Sequence, residues 1–117
     1  MGEAIIKISE KDFMRQVKDL AKVFHWRVYH PFLSKWSERG FPDLSMVKEF
    51  GNNQAIMVMA ELKSDKGKLT EAQKEWLDLL SKVEGVYTFV WYPHQFDDIV
   101  LILSGTPDII KEWKRTV

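Results

Sequence analysis

The sequence predicts an α/β fold in which a mixed sheet is flanked by helices. Two segments carry apolar residues at helical spacing, and four short runs rich in β-branched and aromatic residues complete the order α-β-β-β-α-β. Helices packed on the faces of a sheet around one core form this class of architecture. The length of 117 residues fits one compact domain, so residues 1–117 are assigned to a single domain.

The helices are predicted from apolar spacing and from their end signals. The first begins at the N-cap Ser9 and runs to about Phe24, with a buried stripe made of Phe13, Val17, Leu20, Ala21 and Phe24. The second runs from about Thr70 to Val83, with a buried face made of Ala72, Trp76, Leu79, Leu80 and Val83. Residues 96–103 are compatible with a helix or a strand. Thr106 followed by Pro107 indicates a terminal helix near 107–115.

The strands are predicted at residues 26–30, from near 42 through 47, at 55–63 and at 86–91. Gly51-Asn52-Asn53 is a strong turn signal between the second and third strands, so these two are expected to form a hairpin. Residues 31–41 are polar and aromatic and are interpreted as a loop.

Composition limits the class of protein without deciding its function. The 17 basic and 17 acidic residues cancel, whereas most nucleic-acid binders have a basic excess. Carboxylates that hold a metal would offset basic residues elsewhere, so net charge does not exclude a nuclease. There are no cysteines, no signal peptide is recognisable, and no apolar run is long enough to span a membrane. We expect a soluble, cytoplasmic (intracellular) protein without membrane contacts, with a phage or bacterial genome as a candidate source.

Strand alternation places Glu61 and Lys63 on one face of the third strand, because side chains two residues apart point the same way. A carboxylate and an ammonium group beside a buried apolar run are costly unless they pair or bind something. Asp43 begins the preceding strand, and the start of one hairpin strand faces the end of the other. Two neighbouring carboxylates repel unless a proton or a cation joins them. Mg²⁺ prefers oxygen ligands and meets that need, with Mn²⁺ as an expected substitute.

An isolated Glu-x-Lys triplet is more often an ordinary salt bridge at the edge of a sheet than part of a catalytic site. Four motifs occur in order here: Gly40-Phe41-Pro42-Asp43-Leu44, Glu61-Leu62-Lys63-Ser64, Gly67-Lys68-Leu69 and Gln73-Lys74-Glu75-Trp76-Leu77. This combination resembles the VRR-NUC (virus-type replication-repair nuclease) branch of the PD-(D/E)xK nuclease superfamily. Trp26, Tyr29-His30 and Val90-Trp91-Tyr92-Pro93 also fit that branch, although Tyr92 stands where an arginine is usual. The resemblance covers roughly residues 9–95 and implies a restriction-endonuclease-like αβββαβ core.

The resemblance also implies roles for individual residues. Asp43 and Glu61 would hold the metal together with the backbone carbonyl of Leu62. Lys63 would position or deprotonate the attacking water and offset charge on the phosphate, because its compact charge and adjustable pKa suit that work. Glu10 matches the additional acidic ligand of the family. Its local alternative is a favourable interaction with the dipole of the first helix.

Gln73 matches the glutamine of the family and has a local alternative of its own. Thr70-Glu71-Ala72-Gln73 has the form of a capping box, in which Gln73 would cap the second helix. The two roles can coexist. Candidates for contacts with DNA are His30, Lys35, Arg39, Lys66, Lys68 and Lys74. Taken singly, each of these lysines and the arginine is more often a solvated surface charge, and a histidine at a strand end is more often satisfied by local hydrogen bonds.

The predicted function is therefore a magnesium-dependent, structure-selective DNA endonuclease, a phosphodiester hydrolase acting in DNA repair. By resemblance, stand-alone domains of this branch act as homodimers on branched DNA such as Holliday junctions. Two symmetric sites suit a two-fold substrate, and the methionine and aromatic surplus could supply the dimer interface. Two alternatives stay open: a catalytically silent DNA- or protein-binding module on the same fold, and an unrelated α/β interaction domain with a chance motif.

Overall fold

The computed structural model describes residues 7–31, 38–51 and 53–114. In these ranges the elements are α1 (Glu10–Val23), β1 (Arg27–Tyr29), β2 (Leu44–Glu49), β3 (Ala55–Leu62), α2 (Glu71–Leu80), β4 (Val86–Trp91), a 3-10 turn (Pro93–Gln95), α3 (Phe96–Leu103) and α4 (Pro107–Trp113). The predicted α-β-β-β-α-β order is confirmed, and residues 96–103, left open between helix and strand, form a helix.

The four strands form one mixed sheet in the order β1-β2-β3-β4. The first three are antiparallel neighbours, and β4 lies parallel to β3. A parallel pair requires a crossover connection, which α2 supplies. The β2–β3 hairpin turns at Gly51 and Asn53, which have φ angles of 73° and 62°, and the Gln54 amide donates to the Gly51 carbonyl at 2.8 Å. The predicted hairpin is therefore confirmed.

One face of the sheet packs against α1, α3 and α4 and holds the large apolar core. The helix α1 buries Phe13, Val17 and Ala21, as predicted, and Leu20 and Phe24 pack against the same core. The indole of Trp26 is 3% exposed and donates to the Leu103 carbonyl at 2.9 Å, which ties the end of α1 to α3. The buried members of this core are Phe13, Val17, Ala21, Trp26, Leu44, Met46, Ile56, Val58, Ala60, Leu62, Phe89, Trp91, Ile99, Ile102, Leu103 and Ile110.

The opposite face of the sheet is covered by α2, and here the predicted buried face was wrong in part: Ala72, Trp76 and Leu80 are half-buried, but Leu79 and Val83 are exposed. Of this helix only Leu77 is fully buried, whereas Leu79 and Val83 are 60% and 50% exposed. The helix ends at Leu80, so Val83 lies beyond it. The inward stripe contains Gln73, whose amide bonds a buried carboxylate, and apolarity alone selected a face rotated away from that stripe.

Two of the methionines that we expected to be available for a dimer interface are enclosed by the chain itself. Met46 and Met59 are 0% and 2% exposed. None of the helices within the described ranges has the length and apolarity needed to cross a membrane.

Candidate active site

Asp43 and Glu61 meet at one end of the β2–β3 hairpin. The register pairs Leu44 with Ala60, which sets the residue before β2 opposite Glu61. Even-numbered residues of β3 such as Val58 enter the large core, so by alternation Glu61 projects from the face that α2 covers. The sequence prediction that the hairpin brings these two carboxylates together is borne out by this register.

Glu61 is a buried carboxylate with incomplete hydrogen bonding. It is 3% exposed, and its Oε1 atom has no hydrogen-bond partner among the described residues. The other oxygen, Oε2, accepts from Gln73 Nε2 at 2.8 Å and lies 3.7 Å from Lys63 Nζ. Glu61 and Lys63 therefore share a face as predicted, but one ammonium group at this distance leaves half of the carboxylate unpaired.

Both carboxylates are hard to ionise in this setting. Burial raises the pKa of Glu61 to about 8, and repulsion by Asp43 adds to the rise, while Lys63 opposes it. Burial also raises the pKa of Asp43, although the hydrogen bond from the Leu62 amide lowers it in part. The pair consequently has less positive charge around it than two carboxylates need.

Asp43 is held by the third strand rather than by a cation. Its Oδ2 atom accepts from the Leu62 backbone amide at 2.8 Å. Because the N–H and C=O of one strand residue point to the same side, the Leu62 carbonyl is directed toward the side where Asp43 lies. The carbonyl that the resemblance assigned to the metal is thus on the same side of β3 as one of the two proposed carboxylate ligands.

Gln73 performs its local role and also reaches the candidate site. Its Oε1 atom accepts from the Thr70 amide at 2.9 Å and its own amide donates to Thr70 Oγ1 at 3.2 Å, which completes the capping box of α2. The Nε2 end of the same side chain donates to Glu61. The capping and site interpretations were compatible at the sequence level, and the structure contains both contacts.

Glu10 joins the site from α1. Its Oε1 atom accepts from the Ser64 amide at 3.2 Å, one residue beyond Lys63. Its charge contributes to the raised pKa of Asp43, and the two side chains line one cavity of about 240 Å³. The structure therefore brings Glu10 beside the carboxylate pair, at the point where α1 begins.

The segment that leads into Asp43 is fixed on α2 by close packing. Gly40 has a φ of 83°, and a Cβ at this position would lie 2.5 Å from the Ala72 carbonyl carbon. Trp76 Nε1 donates to the Arg39 carbonyl at 3.1 Å, and the Trp76 ring meets Phe41 edge-on with centroids 4.9 Å apart. These contacts hold the segment before Asp43 against α2, the helix that carries Gln73.

Lys63 is also held by its surroundings. Its backbone amide donates to the Trp91 carbonyl at 3.0 Å, and its side chain is 12% exposed. A Cβ on Gly67 would lie 3.2 Å from the Lys63 Cδ atom, so the turn at residues 64–67 lies directly on the lysine stem. This close approach explains a glycine just after the Glu-x-Lys motif.

A metal ion at this site would need several oxygen ligands from the protein and from water. Within residues 7–31, 38–51 and 53–114, no group of three or more His, Asp or Glu side chains is arranged to hold a metal ion. A site in these ranges would rest on fewer side chains, with a backbone carbonyl and water as further ligands, which is how Mg²⁺ is often bound. The unpaired Glu61 oxygen beside Asp43 fits such a hard cation.

The residues that were predicted to contact DNA lie in different parts of the structure, and only some of them are beside the candidate site. His30 and Arg39 line the cavity of about 200 Å³ beside Asp43 and Glu61, and the His30 ring nitrogen Nδ1 lies 3.0 Å from the Asp43 carbonyl oxygen. Lys66 lines a separate cavity near the start of α1. Lys68 and Lys74 are exposed, and Lys74 pairs with Glu71 at 3.4 Å. Lys35 lies outside the described residues.

Two cations near the site were not selected by sequence reasoning. Lys11 lines the cavity that contains Glu10 and Asp43, and Lys7 lines the neighbouring cavity with Lys66. Neither belongs to a motif. Their proximity in sequence to Glu10 was the one available signal, and it becomes meaningful only once α1 is docked against the sheet end.

An acidic pair and a lysine at adjacent strand ends, on a mixed sheet between helices, define a nuclease-like α/β domain of the PD-(D/E)xK type. A model of the VRR-NUC domain matches residues 27–95, more than half of the chain, so the chain belongs to the VRR-NUC domain family. Membership makes this a nuclease-family domain and makes DNA its class of ligand. Comparisons with curated proteins and with solved structures gave no match.

Proposed function

We propose that this domain is a Mg²⁺-dependent DNA endonuclease that hydrolyses phosphodiester bonds in branched DNA, with four-way (Holliday) junctions as the lead substrate. One observation carries the proposal. A 3%-exposed carboxylate, Glu61, has an unpaired oxygen beside a second carboxylate, Asp43, and both have raised pKa values. A divalent cation would relieve that repulsion and take the free oxygen as a ligand.

Asp43, Glu61 and the Leu62 carbonyl would hold the ion. Because no three acidic side chains in the described ranges are arranged around one point, Glu10 would serve as the further acidic ligand only after its side chain turns toward Asp43. Bound there, Mg²⁺ would supply positive charge to the phosphodiester and make a water molecule more acidic, and Mn²⁺ would substitute. Each of these groups is already oriented by a neighbour: Asp43 by the Leu62 amide and Glu10 by the Ser64 amide. Such support from neighbouring groups is common around catalytic metal ligands.

The remaining site residues would act on the proton and the phosphate. Lys63 would position or deprotonate the attacking water and offset negative charge as it develops on the phosphate. Gln73 would keep Glu61 oriented through the 2.8 Å bond to Oε2. Because Gln73 is also held by the capping box, its amide direction is set before DNA binds.

A homodimer would place two such sites on a two-fold substrate, and we propose that the domain acts in this form, in the cytoplasm, in DNA repair. Sedimentation velocity at micromolar concentration tests the assembly directly. A species with the mass of one chain, both free and with junction DNA, would contradict the dimer without affecting the cleavage assay.

The test of activity is the cleavage of end-labelled four-way junction, flap and linear duplex DNA with Mg²⁺ and with EDTA. Lys63→Ala should reduce the cleavage rate at least about 100-fold, as removal of one transition-state contact does. The exposed Lys82→Ala is the matched control and should leave the rate unchanged. Absence of Mg²⁺-dependent cleavage of all three substrates would overturn the enzyme, and cleavage that survives Glu61→Ala would overturn the site.

The second candidate is a catalytically silent binding module on the same fold. The observation that favours it is that Glu61 Oε2 already has partners without a metal, Gln73 Nε2 at 2.8 Å and Lys63 Nζ at 3.7 Å. Calorimetry separates the two: the nuclease is expected to bind Mg²⁺ or Mn²⁺, with loss of binding in Asp43→Asn and in Glu61→Gln. DNA binding without metal binding would favour the silent module.

A further inference from the structure

Three cavities lie in succession across the candidate site. The first, of about 200 Å³, is lined by Arg39 and by both Asp43 and Glu61. The second, of about 240 Å³, shares His30 and Asp43 with the first and adds Lys11. The third is smaller, about 180 Å³, and is lined by Lys7, Ile8, Ser64, Asp65 and Lys66. We call these three cavities together the site groove.

The second and third cavities share no lining residue but lie on either side of one hydrogen bond. Glu10 lines the second cavity, and its carboxylate accepts from the amide of Ser64, which lines the third. The site groove therefore passes from the segment before β2, over Asp43, to the residues around the start of α1. Since Asp43 lies in its middle portion, the groove extends away from the candidate site in two directions.

The two ends of the site groove differ in charge. At the first end, Arg39 is accompanied by Glu38, so the charges cancel. At the α1 end, the three lysines Lys7, Lys11 and Lys66 line the second and third cavities. The carboxylates there, apart from Asp43, are Glu10 and Asp65, and Asp65 lies 3.2 Å from the His94 ring. Among the described residues, and leaving aside Asp43 and Glu61, basic side chains therefore outnumber carboxylates by one at the α1 end and equal them at the first end.

We propose that one DNA strand lies along the site groove, with the phosphates beside the cleaved bond bound first by Lys11 and then by Lys7 and Lys66. Lysines that contact phosphate fix the position of a strand without reading its sequence. The opposite end presents Pro31 and Phe41 beside His30 and Arg39, a mixed surface for sugar and base. This inference rests on the proposed nuclease function and assigns its strand path.

A strand held on both sides of Asp43 has nucleotides before and after the bond that is cut. The cut bond is then internal to the strand, and a free strand end is unnecessary. The path also explains why a chain with zero net charge can bind DNA, because the three lysines are gathered at one end of the groove and the acidic residues of the site lie next to them.

The test measures binding of a fluorescein-labelled single-stranded 20-mer by anisotropy across a salt series. All proteins carry Glu61→Gln and are kept in EDTA, so that neither cleavage nor added metal enters the measurement. The groove variant is Lys7→Gln/Lys11→Gln/Lys66→Gln. The charge-matched control is Lys22→Gln/Lys82→Gln/Lys111→Gln, which changes three exposed lysines elsewhere.

The groove variant should reduce the slope of log K against log salt by about 2, roughly 0.7 for each lost contact, and the control by less than about 0.5. At 0.1 M salt this corresponds to a loss of affinity on the order of 100-fold for the groove variant. Lys11→Gln alone should reduce the slope by about 0.7.

Equal losses in the groove variant and the control would overturn the strand path, as would an unchanged slope or no binding by the parent protein. The cleavage assay is a separate measurement. If the slope falls as expected and no substrate is cut with Mg²⁺, the strand path stands and the proposed nuclease function fails.

Discussion

The two faces of the sheet are built from the same four strands but bury different chemistry. The face under α1, α3 and α4 encloses 16 apolar residues that form one cluster, without a buried charge among them. On the face under α2, only Leu77 of the covering helix is fully buried, and the adjoining strand residues include the buried polar pair Glu61 and Thr88. The first face, the thick face, is covered by three helices and is almost wholly apolar, and the second, the thin face, is covered by one helix and is partly polar.

This difference separates stability from function within a small domain. Each fully buried apolar side chain contributes roughly 1.5–3 kcal/mol, so the first face supplies most of the hydrophobic stabilisation. That surplus can offset the cost of carboxylates that repel each other on the second face. The candidate site residues are therefore concentrated on the face whose helical cover is thin.

Phe13→Ala should have the largest effect on stability, because it empties a fully buried position in the thick face. We expect the free energy of unfolding to fall by about 3–5 kcal/mol. Urea denaturation measures the change. Val23→Ala on the same helix, 66% exposed, is the control and should change stability by less than about 0.5 kcal/mol. A loss below about 1.5 kcal/mol for Phe13→Ala would mean that this face is less tightly packed than described.

The buried carboxylates of the thin face should make the stability of the domain depend on pH. Burial raises the pKa of Glu61 from its ordinary value of 4.5 to about 8 in the folded protein, so between these pH values the folded state retains a proton that the unfolded state has lost. The unfolded state then binds fewer protons, and stability falls as pH rises from about 5 to 8. The raised pKa of Asp43 acts in the same direction.

In EDTA we expect the free energy of unfolding to fall by roughly 2–4 kcal/mol between pH 5 and 8.5, and Glu61→Gln to remove most of that fall. Urea melts at several pH values provide the measurement. Glu49→Gln, an exposed change on β2, is the matched control and should keep the wild-type profile. A profile for Glu61→Gln as steep as that of the wild type would contradict the raised pKa of Glu61 in the folded protein.

A substitution at Gly40 tests whether the segment before β2 must pack closely on α2. Gly40→Ala must adopt a positive φ and must also move Ala72 of α2, so we expect a loss of about 2–3 kcal/mol and weaker Mg²⁺ binding as Asp43 shifts. Gly51→Ala is the matched control, because its φ of 73° is similar and a Cβ there meets nothing within 4 Å. It should cost only about 1 kcal/mol and leave Mg²⁺ binding unchanged. Equal effects of the two substitutions on stability and on metal binding would refute the docking role of Gly40.

The prediction with the smallest expected effect distinguishes two roles of Gln73, the capping of α2 and the contact with Glu61. Thr70→Ala removes the hydroxyl that accepts from the Gln73 amide and should cost about 1 kcal/mol in urea melts. Gln73→Ala removes both the reciprocal cap bond and the donor to Glu61, so it should cost more and should also slow cleavage. If Thr70→Ala slows cleavage as much as Gln73→Ala does, the site role of Gln73 reduces to helix capping.

Much of the fold could be predicted from signals that involve only a few neighbouring residues in the sequence. Ser9, Thr70 and Thr106 each cap the helix that was predicted to follow them, because a side-chain oxygen that accepts from the first turn is a property of a few neighbouring residues. The β2–β3 hairpin followed in the same way from Gly51 and Asn53, whose positive φ values suit a tight turn.

The face of α2 could not be predicted in this way. Apolarity selected Leu79 and Val83, whereas the helix turns Gln73 inward because a buried carboxylate on β3 needs its amide. That requirement comes from Glu61 on β3, which is 12 residues away from Gln73 in the sequence. Residues 96–103 were undecided for a related reason: a short run that is apolar throughout lacks a period, and packing against α1 and α4 makes it a helix.

By itself, the sequence determined the order of the elements, the shared face of Glu61 and Lys63, and the family to which the motifs belong, because these depend on neighbouring residues and on strand alternation. Only the tertiary structure decided that Glu61 is buried with an unpaired oxygen, that Gly40 is packed on Ala72, and that lysines of the α1 region line the groove beside Asp43. Burial and charge environment are sums over residues distant in sequence, and they exist only after the chain has folded.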